Sequence, residues 1–157
     1  MKIDELLKEY KISLFVFPAD MWERSGFYFP DLRRICVNES LSKQEREKVI
    51  LHELGHIDHD PKHYKRLLLQ YENQADRFMI HELLVDYLKT TDIYDFNWVR
   101  FATQYDISTT WGEAMIQDEF RKIQQSVIWN YVQILNHVKS WIGENWWKEK
   151  MRVQFEI

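Results

Sequence analysis

The chain of 157 residues contains one cysteine, three prolines and four glycines, and the scarcity of cysteine already excludes one class of protein. A lone cysteine cannot form an internal disulfide, so a disulfide-stapled secreted scaffold is excluded. No apolar run approaches the ~20 residues that a membrane-spanning helix needs, and the amino terminus lacks the pattern of a signal peptide. We therefore expect a cytoplasmic protein without a membrane partner, in which Cys36 is a buried core thiol.

The sequence also lacks an excess of basic residues. Its 21 lysines and arginines are outnumbered by 25 aspartates and glutamates, which gives a formal net charge of −4 at pH 7. DNA-binding proteins normally present a basic face, so this balance argues against a general affinity for nucleic acid. No linker rich in glycine, proline or serine divides the chain, and we expect residues 1–157 to form a single domain.

The pentapeptide His52-Glu53-Leu54-Gly55-His56 is the most informative feature that is present, because it fits the HExxH pattern of zinc peptidases. Helical residues four positions apart differ in direction by only about 40°, so His52 and His56 can direct their imidazoles at one Zn²⁺ ion. Glu53 would then act as general base on a water molecule that zinc makes acidic, and afterwards as proton donor to the leaving amine.

The residues around the pentapeptide predict that it lies within one helix. Ser42 and Glu45 have the spacing of a capping box, which indicates the start of a helix. Asp60-Pro61 indicates its end, since proline disfavours helical geometry in the residue before it. Between them, apolar side chains at helical spacing predict a buried face: Val49, Ile50, Leu51, Leu54 and Ile57.

A third ligand must come from elsewhere, because catalytic zinc usually takes three protein ligands. A second helix is predicted from about Tyr64 to Leu88, and Glu72 lies on the face that carries its apolar residues Leu68, Ala75, Phe78 and Met79. A buried carboxylate is costly unless it is compensated, and zinc would offset that cost. We predict Glu72 as the third ligand, and Asp76, one turn later, as acceptor of the second ring N–H of a ligand histidine.

Together these residues resemble the ImmA/IrrE metallopeptidase family. Glu72-Asn73-Gln74-Ala75-Asp76-Arg77-Phe78 is similar to the family's ExxA(D/N)xF pattern, and residues 101–108, which read FATQYDIS, are similar to its A-x-x-F/Y-x-V/I-S element. The resemblance covers roughly residues 10 to 120. It implies a bacterial, phage or mobile-element zinc endopeptidase that cleaves a helix-turn-helix repressor and so derepresses its genes. One departure is Leu83-Leu84-Val85-Asp86, where members often have a leucine-rich stretch closed by Met-Pro.

The amino-terminal third predicts a short amphipathic helix followed by a small sheet. Met1–Lys11 has the pattern of the helix, Ile12–Phe17 that of a buried strand, and Phe27–Phe29 and Arg33–Val37 flank a predicted hairpin turn at Pro30-Asp31. We expect an α+β, zincin-like fold that is mostly helical, with this sheet next to the active-site helix. In such folds the sheet edge can hold an extended peptide, which favours peptide substrates over small amides.

Two further helices, Phe96–Gln104 and Thr110 to about Ile123, resemble a helix-turn-helix element at about residues 95–118. The second of them carries acidic residues where DNA recognition requires donors and cations, so we interpret the element as a packing or protein-docking feature.

The rest of the chain predicts a long amphipathic helix. From Phe120 the apolar positions step by three or four residues as far as Trp141, and Trp146-Trp147 add apolar surface beyond it. We therefore divide the domain into a core of residues 1–118 and a helical, aromatic-rich tail of residues 119–157. The tail could fold back so that its apolar face packs on the domain, or this face could mediate self-association or partner binding.

The sequence leaves several roles open. Tyr64, Tyr71 and His81 are each candidates for stabilising a tetrahedral oxyanion, while His59 and His63 could either lie on the surface or line the cleft and help to bind substrate. The main alternative function is a non-catalytic zincin-fold regulator that binds a protein or DNA partner.

Overall fold

The computed structural model describes residues 3–142, and its first part is a helix followed by a three-stranded sheet. The elements are α1 (Ile3–Glu9), β1 (Ser13–Phe17), β2 (Gly26–Phe29) and β3 (Arg34–Asn38). Strand β3 is the central strand of the sheet. It pairs in parallel with β1 and antiparallel with β2. The predicted hairpin around Pro30-Asp31 is confirmed by the antiparallel pairing of β2 with β3.

The expectation that residues 12–17 form a buried strand was wrong for most of its length. Phe17 is buried, but the side chains from Ser13 to Val16 are exposed, with Phe15 at 46%. The reason is topological, because β1 is an edge strand of the described sheet and pairs only with β3. The central strand β3 carries the buried residues instead, including Cys36, which is a free, buried thiol as predicted.

Four helices follow the sheet: α2 (Lys43–Leu54), α3 (Tyr64–Tyr87), α4 (Trp98–Gln104) and α5 (Thr109–Ile142). The predicted capping box opens α2, since the Ser42 hydroxyl accepts from the Glu45 N–H and the Glu45 carboxylate accepts from the Ser42 N–H. This reciprocal arrangement satisfies two backbone donors that would otherwise have no partner in the helix.

Helix α2 ends at Leu54, so the prediction that it continues to Asp60 was wrong. After Leu54 the backbone tightens, and the N–H groups of His56 and Ile57 bond to carbonyl groups three residues earlier instead of four. The tightening occurs where α3 comes closest. A Cβ on Gly55 would lie only 2.6 Å from the Cα of Ala75 in α3, so only glycine fits at this crossing.

Helix α3 agrees with the predicted span of 64–88 except near its start, where Leu67 departs from helical geometry. Its buried residues begin at Tyr71, which leaves Leu68 exposed although its spacing placed it on the buried face. The largest fully buried side chains come from the sheet and from all four of these helices: Phe17, Ile35, Val37, Leu51, Ile80, Leu83, Leu84, Phe101 and Ile116.

The contacts divide the chain into two units, Met1–Phe120 and Arg121–Ile157. The two carboxy-terminal helical stretches predicted from the sequence, 110–123 and the segment from Phe120, are one continuous helix, α5. The predicted apolar positions Trp146-Trp147 lie outside the described residues, and the single-domain organisation stays a prediction. Within residues 3–142, no helix has the length and apolarity that crossing a bilayer requires.

Candidate metal centre

The two histidines of the HExxH pentapeptide face each other at the carboxy-terminal end of α2. His52 lies in the last turn of the helix, and His56 lies in the tight turn just after it. Because Gly55 keeps a right-handed helical conformation, the chain stays on the helical path between them. The two Nε2 atoms are consequently 3.2 Å apart.

Glu72 completes the group from the neighbouring helix α3. Its Oε2 atom lies 3.2 Å from Nε2 of His52, and its Oε1 atom lies 3.7 Å from Nε2 of His56. We compared the positions of the histidine, cysteine, aspartate and glutamate side chains in the described part of the chain. One group of three has donor atoms close enough together to hold a metal ion: His52, His56 and Glu72.

The donor set and its spacing fit zinc. Zinc takes histidine nitrogen and carboxylate oxygen at ~2.0–2.2 Å in tetrahedral geometry, which places neighbouring donor atoms roughly 3.3 Å apart. The distances of 3.2 to 3.7 Å in the structure are close to that separation. Two nitrogens and one carboxylate oxygen also match a catalytic site, in which three protein ligands leave a position for water.

The pKa shifts of two of the three donors, His56 and Glu72, favour the forms that bind a metal. Burial, followed by the charge of His52, lowers the pKa of His56 to about 4, so this ring is neutral near pH 7. Burial raises the pKa of Glu72, but the hydrogen bond from Tyr64 and the two histidine charges outweigh it, and the net pKa is lowered.

His52 differs from His56 in the direction of its pKa shift. Burial lowers its pKa, but the hydrogen bond and charge of Asp76 and the charges of Glu53 and Glu72 outweigh burial, and the net pKa is raised. A proton on His52 and a metal ion therefore compete for the same donor atoms, and metal binding is expected to release that proton.

Both histidines of the donor group have partners for their second ring nitrogen. Nδ1 of His52 donates to Oδ1 of Asp76 at 2.9 Å, which is the contact that the sequence predicted. Nδ1 of His56 lies 2.9 Å from Nδ1 of His59, whose Nε2 lies 2.8 Å from Oε1 of Gln74. Sequence reasoning left His59 open and missed Gln74, although His59 stands three residues after His56 and so one tight turn away.

Glu53, the predicted general base, lines the same cleft as the three donor residues. Burial, followed by the negative charge of Glu72, raises its pKa, while His52, the Tyr28 backbone N–H and Arg24 act in the opposite direction. A carboxylate with a raised pKa can both take and return a proton near neutral pH.

The cleft has a volume of about 430 Å³. The sheet edge forms one side and the α2–α3 region the other, and the lining residues are Arg24, Gly26, Phe27, Tyr28, Pro30, His52, Glu53, His56, His59, Pro61, Tyr64 and Glu72. Arg24 was missed by sequence reasoning, since nothing in the sequence brings the β1–β2 connection to the zinc motif.

The three residues that the sequence offers for oxyanion stabilisation have different surroundings in the structure. Tyr64 lines the cleft and donates a hydrogen bond to Glu72 Oε1 at 2.5 Å. Tyr71 is buried and stacks on His59 with ring centroids 4.0 Å apart. His81 lies beside Glu119, with 3.5 Å between Nδ1 and Oε2, and does not line the cleft. Tyr64 is therefore the candidate of the three whose side chain borders the cleft.

The chain matches the model of a known protein family. Residues 7–110 match the family model Peptidase_M78, described as the IrrE N-terminal-like domain. The matched segment is more than half of the chain and contains the sheet, α2, α3 and every residue of the donor group. No curated protein matches the chain.

Proposed function

The chain belongs to the Peptidase_M78 family, the ImmA/IrrE metallopeptidases, and on this premise we propose that it is a zinc-dependent endopeptidase. The observation that carries the proposal is the convergence of His52, His56 and Glu72 within zinc-binding distances, with Glu53 in the same cleft. A metal-binding group alone would fit a structural site, but a half-buried carboxylate with a raised pKa beside it fits hydrolysis.

The proposed roles follow from the positions of the side chains. His52, His56 and Glu72 would hold the zinc ion, which when bound would supply Lewis acidity toward a carbonyl group and lower the pKa of a water molecule. Glu53 takes the proton from the attacking water and transfers it to the leaving amine. Asp76 holds the His52 ring through Nδ1, so that Nε2 is directed at the other two ligands.

An extended peptide fits the edge of the sheet beside this cleft. Strand β2 pairs on one side with β3, and its residues Gly26, Phe27 and Tyr28 line the cleft on the other. The Tyr28 N–H bonds to Glu53, so it points away from β3, and in an antiparallel strand the backbone of Gly26 points to the same side. A peptide added along β2 would therefore lie next to Glu53, which supports a protein substrate.

The resemblance to ImmA/IrrE proteins supports a substrate class as well. We propose a helix-turn-helix repressor of a phage or mobile element, whose cleavage derepresses its genes. This part of the proposal rests on the family alone, because the geometry of the cleft supports an extended peptide but not a particular protein.

The test is cleavage of candidate repressors from the genetic neighbourhood by the zinc-loaded protein and by Glu53→Gln. Glutamine preserves the size of the side chain but cannot accept the proton, so we expect turnover to fall by about 10²–10⁴-fold. Zinc affinity and thermal stability should stay close to those of the unaltered protein, since Glu53 is not a ligand. Cleavage is followed by mass spectrometry of the products.

Equal cleavage by the two proteins would show that the assigned chemistry is wrong. If neither protein cleaves a repressor but both bind it and both retain biological activity, the chain is instead a non-catalytic regulator with a zincin fold. Turnover of short amides without any need for an extended segment would indicate a small-substrate amidase.

A further inference from the structure

His56 reaches its outer hydrogen-bond partners through an arrangement that differs from that of His52. The second nitrogen of His52 is held by a carboxylate, Asp76, whereas that of His56 meets another imidazole, His59. A carboxylate can only accept, so it fixes the proton on His52 Nδ1. An imidazole nitrogen can donate or accept, so His59 fixes the proton on His56 only if its own proton is fixed.

Gln74 supplies that constraint. Its Oε1 atom lies 2.8 Å from Nε2 of His59, and an amide oxygen accepts but cannot donate. Nε2 of His59 is therefore the donor in this contact, and Nδ1 of the same ring is an acceptor when it bears no proton. Nδ1 of His56, 2.9 Å away, must then be the donor, which leaves Nε2 of His56 with a free lone pair toward His52 and Glu72.

The ring of His59 is also held in orientation by stacking. Tyr71 lies parallel to it, with an interplanar angle of 6° and 4.0 Å between ring centroids. Tyr71 is itself buried in α3, so the stacked ring has a rigid support. His59 is thus restrained at three points: its face by Tyr71 and its two nitrogens by His56 and Gln74.

We propose that His59 and Gln74 are positioning residues that hold His56 in the tautomer and orientation required of a zinc ligand. This inference rests on the proposed zinc site and deepens it, because it assigns an outer support to the second histidine as Asp76 supports the first. Outer partners of this kind fix ring orientation and raise the basicity of the ligand nitrogen.

The first test measures the affinity of the full chain for Zn²⁺ by competition with a chromogenic chelator. His59→Leu removes the acceptor for Nδ1–H of His56. Gln74→Leu removes the acceptor for Nε2–H of His59, so that His59 can place its proton on Nδ1, where it faces the proton on Nδ1 of His56. We expect each variant to bind zinc about 10–100-fold more weakly. His59→Asn and Gln74→Glu keep an acceptor at the required positions and should retain most of the affinity.

His63→Leu is the matched control, since His63 is also a histidine near the start of α3 but faces Asp60 and does not line the cleft. It should bind zinc like the unaltered protein. Thermal unfolding of the zinc-free variants separates positioning from structural damage, because damage would lower the melting temperature of His59→Leu and weaken zinc binding in His59→Asn as well.

The second test determines the tautomer of His56 in the zinc-free protein from its ring ¹⁵N chemical shifts. We expect a protonated Nδ1 in the unaltered protein and a mixture of tautomers in Gln74→Leu. The inference is overturned if His59→Leu binds zinc normally, if His59→Asn is as weak as His59→Leu, or if His56 carries its proton on Nε2. None of these readouts requires peptide cleavage, so a protein that binds zinc as described but cleaves nothing would refute the proposed function and leave this inference standing.

Discussion

At the scale of single residues, the two oxygen atoms of Glu72 have different partners. The Tyr64 hydroxyl donates to Oε1 at 2.5 Å, while Oε2 lies 3.2 Å from Nε2 of His52. A hydrogen bond from a phenol to a carboxylate is charge-assisted, so it both orients the carboxylate and favours its ionised form. Tyr64 therefore orients the proposed ligand Glu72 and favours its ionised form, whether or not Tyr64 contacts substrate.

We predict that Tyr64→Phe weakens zinc binding by about 10-fold, at the low end of the effects that outer partners show, because the remaining ligand geometry is intact. The lost hydroxyl leaves Glu72 free to rotate and removes one of the interactions that lower its pKa. Competition with a chelator gives the affinity directly. Tyr94→Phe is the matched control, since Tyr94 is 89% exposed and lies outside the cleft.

An unchanged affinity in Tyr64→Phe would mean that the hydrogen bond to Glu72 contributes nothing to the metal centre. In that case a fall in turnover with unchanged zinc affinity would assign Tyr64 to the stabilisation of the oxyanion, the role that the sequence had left open among three residues.

At the scale of elements, the site depends on how closely α2 and α3 approach each other. Gly55 contributes no side chain at the crossing, where a Cβ would lie 2.6 Å from the Cα and 3.1 Å from the carbonyl oxygen of Ala75. Ala75 is three residues from Glu72 and one from Asp76. The same contact therefore determines how far the α3 carboxylates lie from the two histidines.

We predict that Gly55→Ala destabilises the protein by about 1–3 kcal/mol, because the added methyl group overpacks a backbone contact that cannot yield without moving a helix. It should also weaken zinc binding, since Glu72 and Asp76 would move with α3. Denaturant unfolding and chelator competition measure the two effects.

Gly112→Ala is the comparison variant for this prediction. A Cβ there would meet the side-chain methyl group Cγ2 of Ile107 at 2.7 Å, and alanine gains up to about 1 kcal/mol over glycine within a helix. We expect a smaller loss of stability and no loss of zinc affinity. Equal effects of the two substitutions on zinc binding would contradict the idea that the Gly55 crossing sets the ligand distances.

The same crossing explains which features of these elements could be predicted. The start of α2 was predictable because a capping box is a local interaction between Ser42 and Glu45. Its end was not, because the backbone tightens after Leu54 where α3 approaches, and nothing local to the sequence records that approach. The exposure of β1 escaped prediction for a related reason, since an apolar run predicts a strand but not its place at the edge of a sheet.

At the scale of the molecule, the sequence predicts the fold class and part of the candidate metal centre, but not all of its residues. The α+β arrangement, with a small sheet beside a helical core, followed from periodicity and from the family resemblance. His52 and His56 were candidates because helical spacing alone brings them to one side, and Glu53 was a candidate because of its position in the HExxH pattern. Glu72 and Asp76 required the further assumption that the apolar face of α3 turns toward α2. His59 and Gln74 escaped because their contacts depend on the turn after Leu54 and on the stacking against Tyr71.

The first unit has a large core of apolar side chains in addition to its donor group, and this core has a consequence for folding. Phe17, Leu51, Ile80 and Phe101 are fully buried apolar residues, and none of them belongs to the donor group. In this respect the protein differs from zinc fingers, which are unfolded without metal. The chelated protein should therefore stay folded.

We predict that removal of zinc with a chelator lowers the melting temperature but preserves a cooperative transition. A ligand at 100 times its dissociation constant stabilises the folded state by about 2.7 kcal/mol, which corresponds to a shift of roughly 5–11 °C for a domain of this size. Readdition of zinc should restore the melting temperature in the unaltered protein but not in Glu72→Ala, which lacks the third ligand. Calorimetry with and without chelator makes both measurements. Complete loss of the transition on chelation would instead show that zinc, and not the apolar core, holds this fold together.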